Sequence, residues 1–527
     1  MTPDDWFEIL GIAAGMVLSM RSLVHYFQLE SYQFPGYFRT LKRNIRRALL
    51  PGVLLAAVSG LMTLLGMAMG NGITAKLLYM VLTVAAGFGI HRMMKDKKAK
   101  KPLHMTPRVK RLYAVAAVVF LLLSWGMAAC LGAQWLWIAP LLLPVWTALA
   151  GLLAWPIEKL ISEMYFRDAQ RRLKERPDLI KIGITGSYGK TSVKFILGTL
   201  LSEKYQTLVT PSSFNTPMGV TKIIRTKLQP AHQVFVAEMG ARHVGDIKEM
   251  CRLVHPTYGV LTSVGPQHLD TFKTIDRIKK TKYELMDAVP EEGCCFFQND
   301  GAICTELYEG TTKEKRLCSL KPDQRADVWA ENITVSPAGS SFLLCTKDSK
   351  TPCTTKLLGE HGIQNILLAA TVCFHLGLTA KQIARGISKV QPVEHRLQLL
   401  PQQGGMTVID DAFNSNPKGS AAALQVLAAF PGRRIIITPG MVELGQGEEE
   451  YNREFGRLMA KAADLAFLVG KKHTEPIVEG LREAGFPEEN LHVVSNLNEA
   501  TTLLHQMGRS GDVVLFENDL PDNYSEQ

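Results

Sequence analysis

The chain has 527 residues, enough for three or four domains at roughly 150 residues each. Its 59 Lys/Arg and 49 Asp/Glu give a net charge of +10. Residues 1–177 hold 22 basic and 9 acidic side chains, and the remainder holds 37 and 40, so the soluble part is near neutral and offers no case for a nucleic acid partner.

Residues 1–160 read as a helical transmembrane region of about five spans. A span needs roughly 20 apolar residues. Trp6–Met20 is a marginal candidate weakened by Glu8. Asp4 and Asp5 before it, with no small-residue cleavage site after it, disfavour a signal peptide. Leu49–Met69 is a clear span, and Ile73–Ile90 a second, interrupted only by Lys76. Tyr113–Trp155 is uncharged and long enough for two helices turning near Gly132-Ala133-Gln134. Basic clusters at 39–47, 92–111 and 167–176 fall on one side if the N-terminus is outside and five helices cross. Topology alone accounts for them, in preference to a lipid-headgroup site. This predicts a multi-pass protein of the bacterial cell membrane whose later domains are cytoplasmic. Nine scattered cysteines without a CxxC pair predict reduced thiols, neither a disulfide framework nor a zinc site.

The apolar-leaning run Leu179-Ile180-Lys181-Ile182 leads into Gly183-Ile184-Thr185-Gly186-Ser187-Tyr188-Gly189-Lys190-Thr191, and Ser192–Leu197 continues as a helix. Strand, glycine loop and helix N-terminus form a phosphate-binding context. Lys190 would reach the β/γ-phosphates and the Thr191 hydroxyl would hold Mg2+. Ile184 departs from the strict pattern, standing where its first glycine belongs. The expected cofactors are ATP and Mg2+.

Strands are predicted at 206–210, 233–238 and 257–261, alternating with helices, as in a doubly wound parallel sheet. Residues 326–356 predict a few antiparallel strands, and helices return at 363–376 and 380–390. A second α/β unit begins near Pro392, with strands at 406–410, 434–438, 465–469, 492–494 and 512–516. The division is therefore a membrane region (1–160), a P-loop central domain (178–391) and a small Rossmann-like C-terminal domain (392–527). Glu238 ends an apolar strand, where a carboxylate can hold Mg2+, and His268 lies just past another strand end, where ligands bind in such sheets. Local chemistry alone makes Lys282 a solvated helix residue, Asn299-Asp300-Gly301 a turn, and Asn416-Pro417 a helix cap.

Taken in order, Thr185–Thr191, Glu238-Met239-Gly240-Ala241, Gly265-Pro266-Gln267-His268-Leu269, Lys282-Tyr283-Glu284, Asn299-Asp300, Gly359-Glu360-His361 with Asn365, His395-Arg396 and Asp410-Asp411-Ala412-Phe413-Asn414-Ser415-Asn416-Pro417 resemble the Mur ligase family over about residues 180–520. Gly440-Met441-Val442-Glu443-Leu444-Gly445 points to the branch that adds a D-alanyl-D-alanine-type unit. The resemblance implies an ATP-dependent carboxylate–amine ligase working through an acyl phosphate on a cell-wall peptide precursor, with an amino acid or dipeptide donor. It places Thr185, Gly186, Ser187, Gly189, Lys190, Thr191 and Ser192 on the phosphates. Thr191, Glu238 and His268 fall on the metal, and Asn299, His361 and Asn365 near adenine. Arg396 and Asp411 would close over the phosphates and ribose. Lys190, Lys282, His268 and Arg396 would be catalytic, and Lys282 matches a lysine carbamylated in many members. Asn215, Asn414 and Asn416 would meet substrate, although Thr216 stands where a second Asn is usual and Gly362 where an Asn is often found.

The family's N-terminal uridine-nucleotide domain is replaced by apolar helices, which suggests a membrane lipid bilayer partner and a lipid-linked acceptor. Another amide ligase of the superfamily acting on a poly-amino-acid acceptor is the alternative. A membrane ATPase/transporter is disfavoured, because no Leu-Ser-Gly-Gly-Gln motif occurs and the spans carry almost no charge.

Overall fold

The computed structural model describes residues 2–95, 102–212, 214–413 and 415–520. Their contacts define two units, one ending at Met164 and one starting at Tyr165.

The first unit is helical. Ile45–Ala68, Ile73–Met93, Pro107–Leu131 and Ala133–Lys174 are each long and apolar enough to cross a membrane. Asp5–Ser19 and Arg21–Leu29, bent by 41° at their junction, would make a fifth if counted as one span. The predicted break in the long apolar run falls at Gly132, whose φ of +93° ends one helix. Large apolar side chains face outward as well as inward: Leu64, Val118, Leu122 and Leu160 are all exposed. Lys76, which reads as a blemish in an apolar helix, meets Asp5 at 2.5 Å. Arg111 forks onto both oxygens of Glu158 at 2.5 and 2.9 Å.

The second unit holds two sheets. The first runs β1 (Ile180–Thr185), β2 (Thr207–Val209), β3 (Val234–Glu238), β4 (Tyr258–Leu261), β5 (Cys294–Gln298), β6 (Lys315–Ser319), β7 (Val328–Ser336), β8 (Gly339–Cys345) and β9 (Lys350–Thr355). Its spatial order is β2-β3-β1-β4-β5-β6-β7-β8-β9. Pairing is parallel from β2 through β7 and antiparallel across β7, β8 and β9. Helices cover both faces, so the inner strands are continuously apolar. That is why β5 escapes a periodicity reading: Cys-Cys-Phe-Phe-Gln is buried at every position and alternates nowhere.

The second sheet comprises β10 (Gln398–Gln403), β11 (Met406–Asp411), β12 (Arg434–Thr438), β13 (Leu465–Val469), β14 (Leu491–Val494) and β15 (Val513–Glu517), ordered β10-β11-β15-β12-β13-β14. Only β10 is antiparallel, at the edge where its Pro401 is tolerated. β10 is the one strand of this sheet without a sequence signal. All nine cysteines are free thiols.

The register decides where chemistry can occur. Ile184 lies beside Glu238 and Val260, and Thr185 beside Leu261. The carboxyl ends of β1, β3 and β4 therefore form one row, the position where open parallel sheets bind ligands.

Candidate active site

The loop after β1 is built by backbone conformations that only glycine adopts readily. Gly186 has φ +149°, and a Cβ there would stand 2.0 Å from Thr262 Oγ1. Gly189 has φ +79°, and a Cβ would come within 2.9 Å of Asn365 Oδ1. Side chains then pin the loop. Thr185 Oγ1 donates to the Met239 carbonyl at 3.0 Å, Ser187 N to the Ser263 carbonyl at 2.6 Å, and Ser187 Oγ to the Gly265 carbonyl at 3.0 Å. Ile184, in the place of the expected first glycine, is a fully buried residue of β1. That position belongs to the strand, so no glycine is required. Lys190 arches back to donate to the Gly186 and Ser187 carbonyls at 2.7 and 2.9 Å. It also opens the helix Lys190–Leu201, with half-buried Ser192 in the first turn, so the helix N-terminus faces the loop.

Glu238, 1% exposed at the tip of β3, collects the neighbouring polar groups. Its Oε1 accepts from Thr191 Oγ1 at 3.1 Å and Asn215 Nδ2 at 3.2 Å, and its Oε2 pairs with Lys194 Nζ at 3.0 Å. Burial opposes its charge, but Lys194 and Lys190 outweigh burial and hold it below the ordinary carboxylate range. Lys194, fully buried, also donates to the Ser212 carbonyl.

Burial, with a smaller contribution from Arg396, lowers Lys190 to about 8 against the pull of Glu238. Lys282, only 2% exposed, is not the solvated residue its local sequence implies. Burial, then Lys190, pushes it well below the usual lysine value despite Asp246, Glu284 and Glu238. No hydrogen bond to its side chain is present among the described residues. His268 hydrogen-bonds through Nδ1 to Glu443 Oε2 at 2.6 Å. Lys190, Thr191, Glu238, His268, Lys282 and Arg396 thus fall into one group, each coupled to another by a hydrogen bond or by charge.

Arg396 sits between two non-glycine residues in left-handed conformations, His395 (φ +58°) and Leu397 (φ +45°), with its guanidinium 4.7 Å from the Phe413 ring centroid. Asp411 accepts from Leu397 N at 3.1 Å, and burial raises it to about 6. Asn365 lies against Gly189, on the phosphate loop. His361 packs beside Gly359 at the start of the helix Glu360–His375, and burial lowers it to about 4. Asn299 is committed to its own turn: Nδ2 donates to Asp323 at 2.7 Å, and Oδ1 accepts from Gly301 N at 3.1 Å and Thr305 Oγ1 at 2.9 Å. Asn416 caps a helix by accepting from Gly419 N at 2.8 Å, as its Asn-Pro context allows. Thr216 caps another through Gly219 N at 3.3 Å. Asn414 lies outside the described residues.

Sequence reasoning missed three participants. Lys194 follows Lys190 by one helical turn, a spacing that puts both on one face and could have been noticed. Glu443 lies 175 positions from His268, beyond any local signal. Glu517, at the tip of β15, accepts from Thr438 Oγ1 at 2.8 Å and from Ser415. Elsewhere, Cys294, Glu314 and His375 bring ligand atoms within 4.8 Å of one another, although burial raises the Cys294 thiol to about 12 and so opposes thiolate ligation.

The residues fit ATP and Mg2+: the loop offers backbone N–H groups and Lys190 to a polyphosphate, and Thr191 with Glu238 offers oxygen donors to a hard cation. A family model for the Mur ligase middle domain matches residues 184–373, and one for the Mur ligase, glutamate ligase domain matches 395–517. The chain is 32% identical over 359 residues to the UDP-N-acetylmuramoyl-tripeptide–D-alanyl-D-alanine ligase of Mycobacterium tuberculosis (strain CDC 1551 / Oshkosh), covering 64% of this chain and 69% of that protein. The Escherichia coli (strain K12) protein of the same name is 30% identical over 306 residues, covering 57% and 67%. Among solved structures, MurF from Acinetobacter baumannii superposes with a TM-score of 0.63 at 25% identity, covering 69% of this chain and 78% of that one. MurF from Thermotoga maritima, solved with ADP, shares the fold with a TM-score of 0.61 at 23% identity, covering 68% and 80%.

Burial raises Glu517 to about 8 from an ordinary value near 4.5. Between those values the folded chain keeps a proton that the unfolded chain releases. Stability should therefore fall as pH rises through that window, by at most about 1.4 kcal/mol per unit, and level off above it. In melting curves from pH 5 to 8.5, Glu517→Gln should lose less stability than the parent. Parallel curves for the two would exclude this assignment.

Proposed function

The chain belongs to the Mur ligase family, and from that premise we propose that it adds a D-alanyl-D-alanine-type unit to a peptidoglycan peptide precursor, with the site around Glu238 performing the chemistry. It is an ATP-dependent ligase forming C–N bonds. The observation that carries the site assignment is the meeting of Lys190, Thr191 and Glu238 at the row of strand tips, within electrostatic reach of Arg396 from the second sheet.

In the first step a substrate carboxylate attacks the γ-phosphorus of ATP, giving an acyl phosphate and ADP. In the second, an amine attacks the acyl carbon, and phosphate leaves as the amide forms. Both steps bring negative charge together or build it up. Catalysis therefore rests on positioning and on cations already in place. Lys190 and Arg396 would hold the phosphates, and Thr191, Glu238 and His268 would hold the metal. Mg2+, when bound, neutralises phosphate oxygens as the carboxylate approaches. Lys282 is placed to become a carbamate: its depressed basicity leaves a fraction of neutral amine able to add CO2 with loss of a proton. Asn365 bears on the phosphate loop, and Asn299 and His361 supply the adenine side. Asn215 stands at the acceptor side. The strained segment at His395–Leu397 serves as the hinge by which the 392–527 lobe closes over the 178–391 lobe, excluding water from the acyl phosphate.

The apolar helices of residues 1–160 anchor the protein in the bacterial membrane with both lobes in the cytoplasm. Their outward-facing leucines support this reading. It favours an acceptor carried on a lipid in place of a soluble uridine nucleotide, since the family matches begin only at residue 184.

Lys190→Ala should reduce ATP-dependent amide formation by about a hundredfold or more, followed by ADP release and mass spectrometry of the product. Undiminished turnover would remove Lys190 from the mechanism. Lys282→Ala should be inactive and regain turnover with added short carboxylic acids; an unchanged rate without them rejects the carbamate. In proteoliposomes, a polyprenyl-linked peptide should exceed its UDP-linked counterpart in kcat/KM by at least about tenfold, equivalent to about 1.4 kcal/mol. Equal values would refute the lipid-linked acceptor.

A further inference from the structure

The contact between His268 and Glu443 joins the two sheets of the second unit at the candidate metal site. His268 follows β4, and Glu443 follows β12. Both lie on left-handed backbone, with φ +54° and +66°. Such conformations are costly for residues with side chains and persist where the surroundings dictate them. Here each conformation delivers one side chain to the other, Nδ1 to Oε2 at 2.6 Å. An ionised carboxylate can only accept a hydrogen bond, so Nδ1 carries the hydrogen, and in the neutral ring Nε2 then keeps its lone pair. Metal-binding histidines are commonly oriented in this way, through a carboxylate on the ring nitrogen away from the ion.

We infer that Glu443 is a positioning residue for the metal: reaching over from the C-terminal lobe, it fixes the tautomer and ring orientation of His268, so that the metal site is complete only when the lobes are closed. The inference rests on the proposed role of His268 as a metal ligand. It assigns Glu443 no contact with ATP or with the reacting atoms. Removing its carboxylate should loosen the metal while leaving the phosphate loop intact, because among the described residues the loop's side-chain and backbone hydrogen bonds run to Glu238, Met239, Thr262, Ser263, Gly265 and Pro266 and none to Glu443.

The test is Mn2+ binding to the full-length protein in detergent with ADP present, measured by electron paramagnetic resonance and calorimetry. Glu443→Ala should weaken Mn2+ by about 10- to 100-fold. Glu443→Gln, which still accepts a hydrogen bond but lacks the charge, should fall between Ala and the parent. It also provides the measurement if the alanine variant does not fold. His268→Ala combined with Glu443→Ala should bind no more weakly than His268→Ala alone, because Glu443 acts through the histidine. The kcat deficit of Glu443→Gln should shrink as Mg2+ is raised, which a purely structural defect would not do. Parent-like Mn2+ affinity in Glu443→Ala and Glu443→Gln, with His268→Ala impaired, would overturn the inference and leave the histidine's role standing. Parent-like affinity in His268→Ala would remove the metal role of the histidine and the inference with it.

Discussion

A buried carboxylate at the end of a parallel strand organises the second unit. Glu238 is nearly inaccessible to solvent, and a lone charge in that position would cost several kcal/mol. Lys194 pairs with its Oε2, Lys190 supports it from the loop, and Thr191 and Asn215 both donate to its Oε1. The arrangement still leaves more positive than negative charge nearby. Lys190 and Lys282 are both driven below the usual lysine value, and in each case another cation contributes to the shift. A site with that surplus of cations is set for an incoming polyanion, whose charge would favour the protonated form of Lys190.

Backbone strain follows the same geography. Ser212, His268, His395, Leu397, Glu443 and Asn518 all have left-handed φ without being glycine. Ser212 gives its carbonyl to Lys194, His395 and Leu397 bracket Arg396, and Asn518 accepts from Ser415 N. Such residues cost of order 1 kcal/mol or more each. Each of these six sits where its side chain or carbonyl, or that of its neighbour, is delivered to a partner, and the surrounding fold holds it there. Linkers that must bend between lobes and loops that must aim side chains at a ligand are where an over-determined scaffold can carry such strain.

The phosphate loop was legible because its demands are local: two glycines with unusual φ, a lysine, a hydroxyl and a helix start lie within a few positions. The Asn416 cap was legible for the same reason, since it does what its side-chain chemistry predicts; the Thr216 cap was not read from the sequence. Lys282 was legible only through the order of motifs. Its own neighbours, Lys279, Lys280 and Tyr283, give no hint that the side chain turns inward. The contact of Asn365 with Gly189 was not legible, since it depends on how the helix Glu360–His375 packs across the sheet. Glu443 and Glu517 were beyond reach because their partners arise from tertiary folding. β5 was lost because complete burial erases the alternation by which strands are recognised, and β6 because its half-buried Lys315-Arg316 followed by buried Leu317-Cys318-Ser319 does not alternate either.

The helical first unit bears on the transporter alternative through its charges. An ion or substrate path through a membrane needs ionisable groups that can exchange partners as cargo passes. Lys76 is instead held by Asp5 and by Thr2 Oγ1 at 3.1 Å, and the Glu158 carboxylate accepts both arms of the Arg111 fork. Each interaction ties one helix to another. Pairing of this kind neutralises charge where water is scarce and fixes which helices are neighbours. These two charge pairs therefore stabilise the helical bundle and are not free to serve a path of that kind.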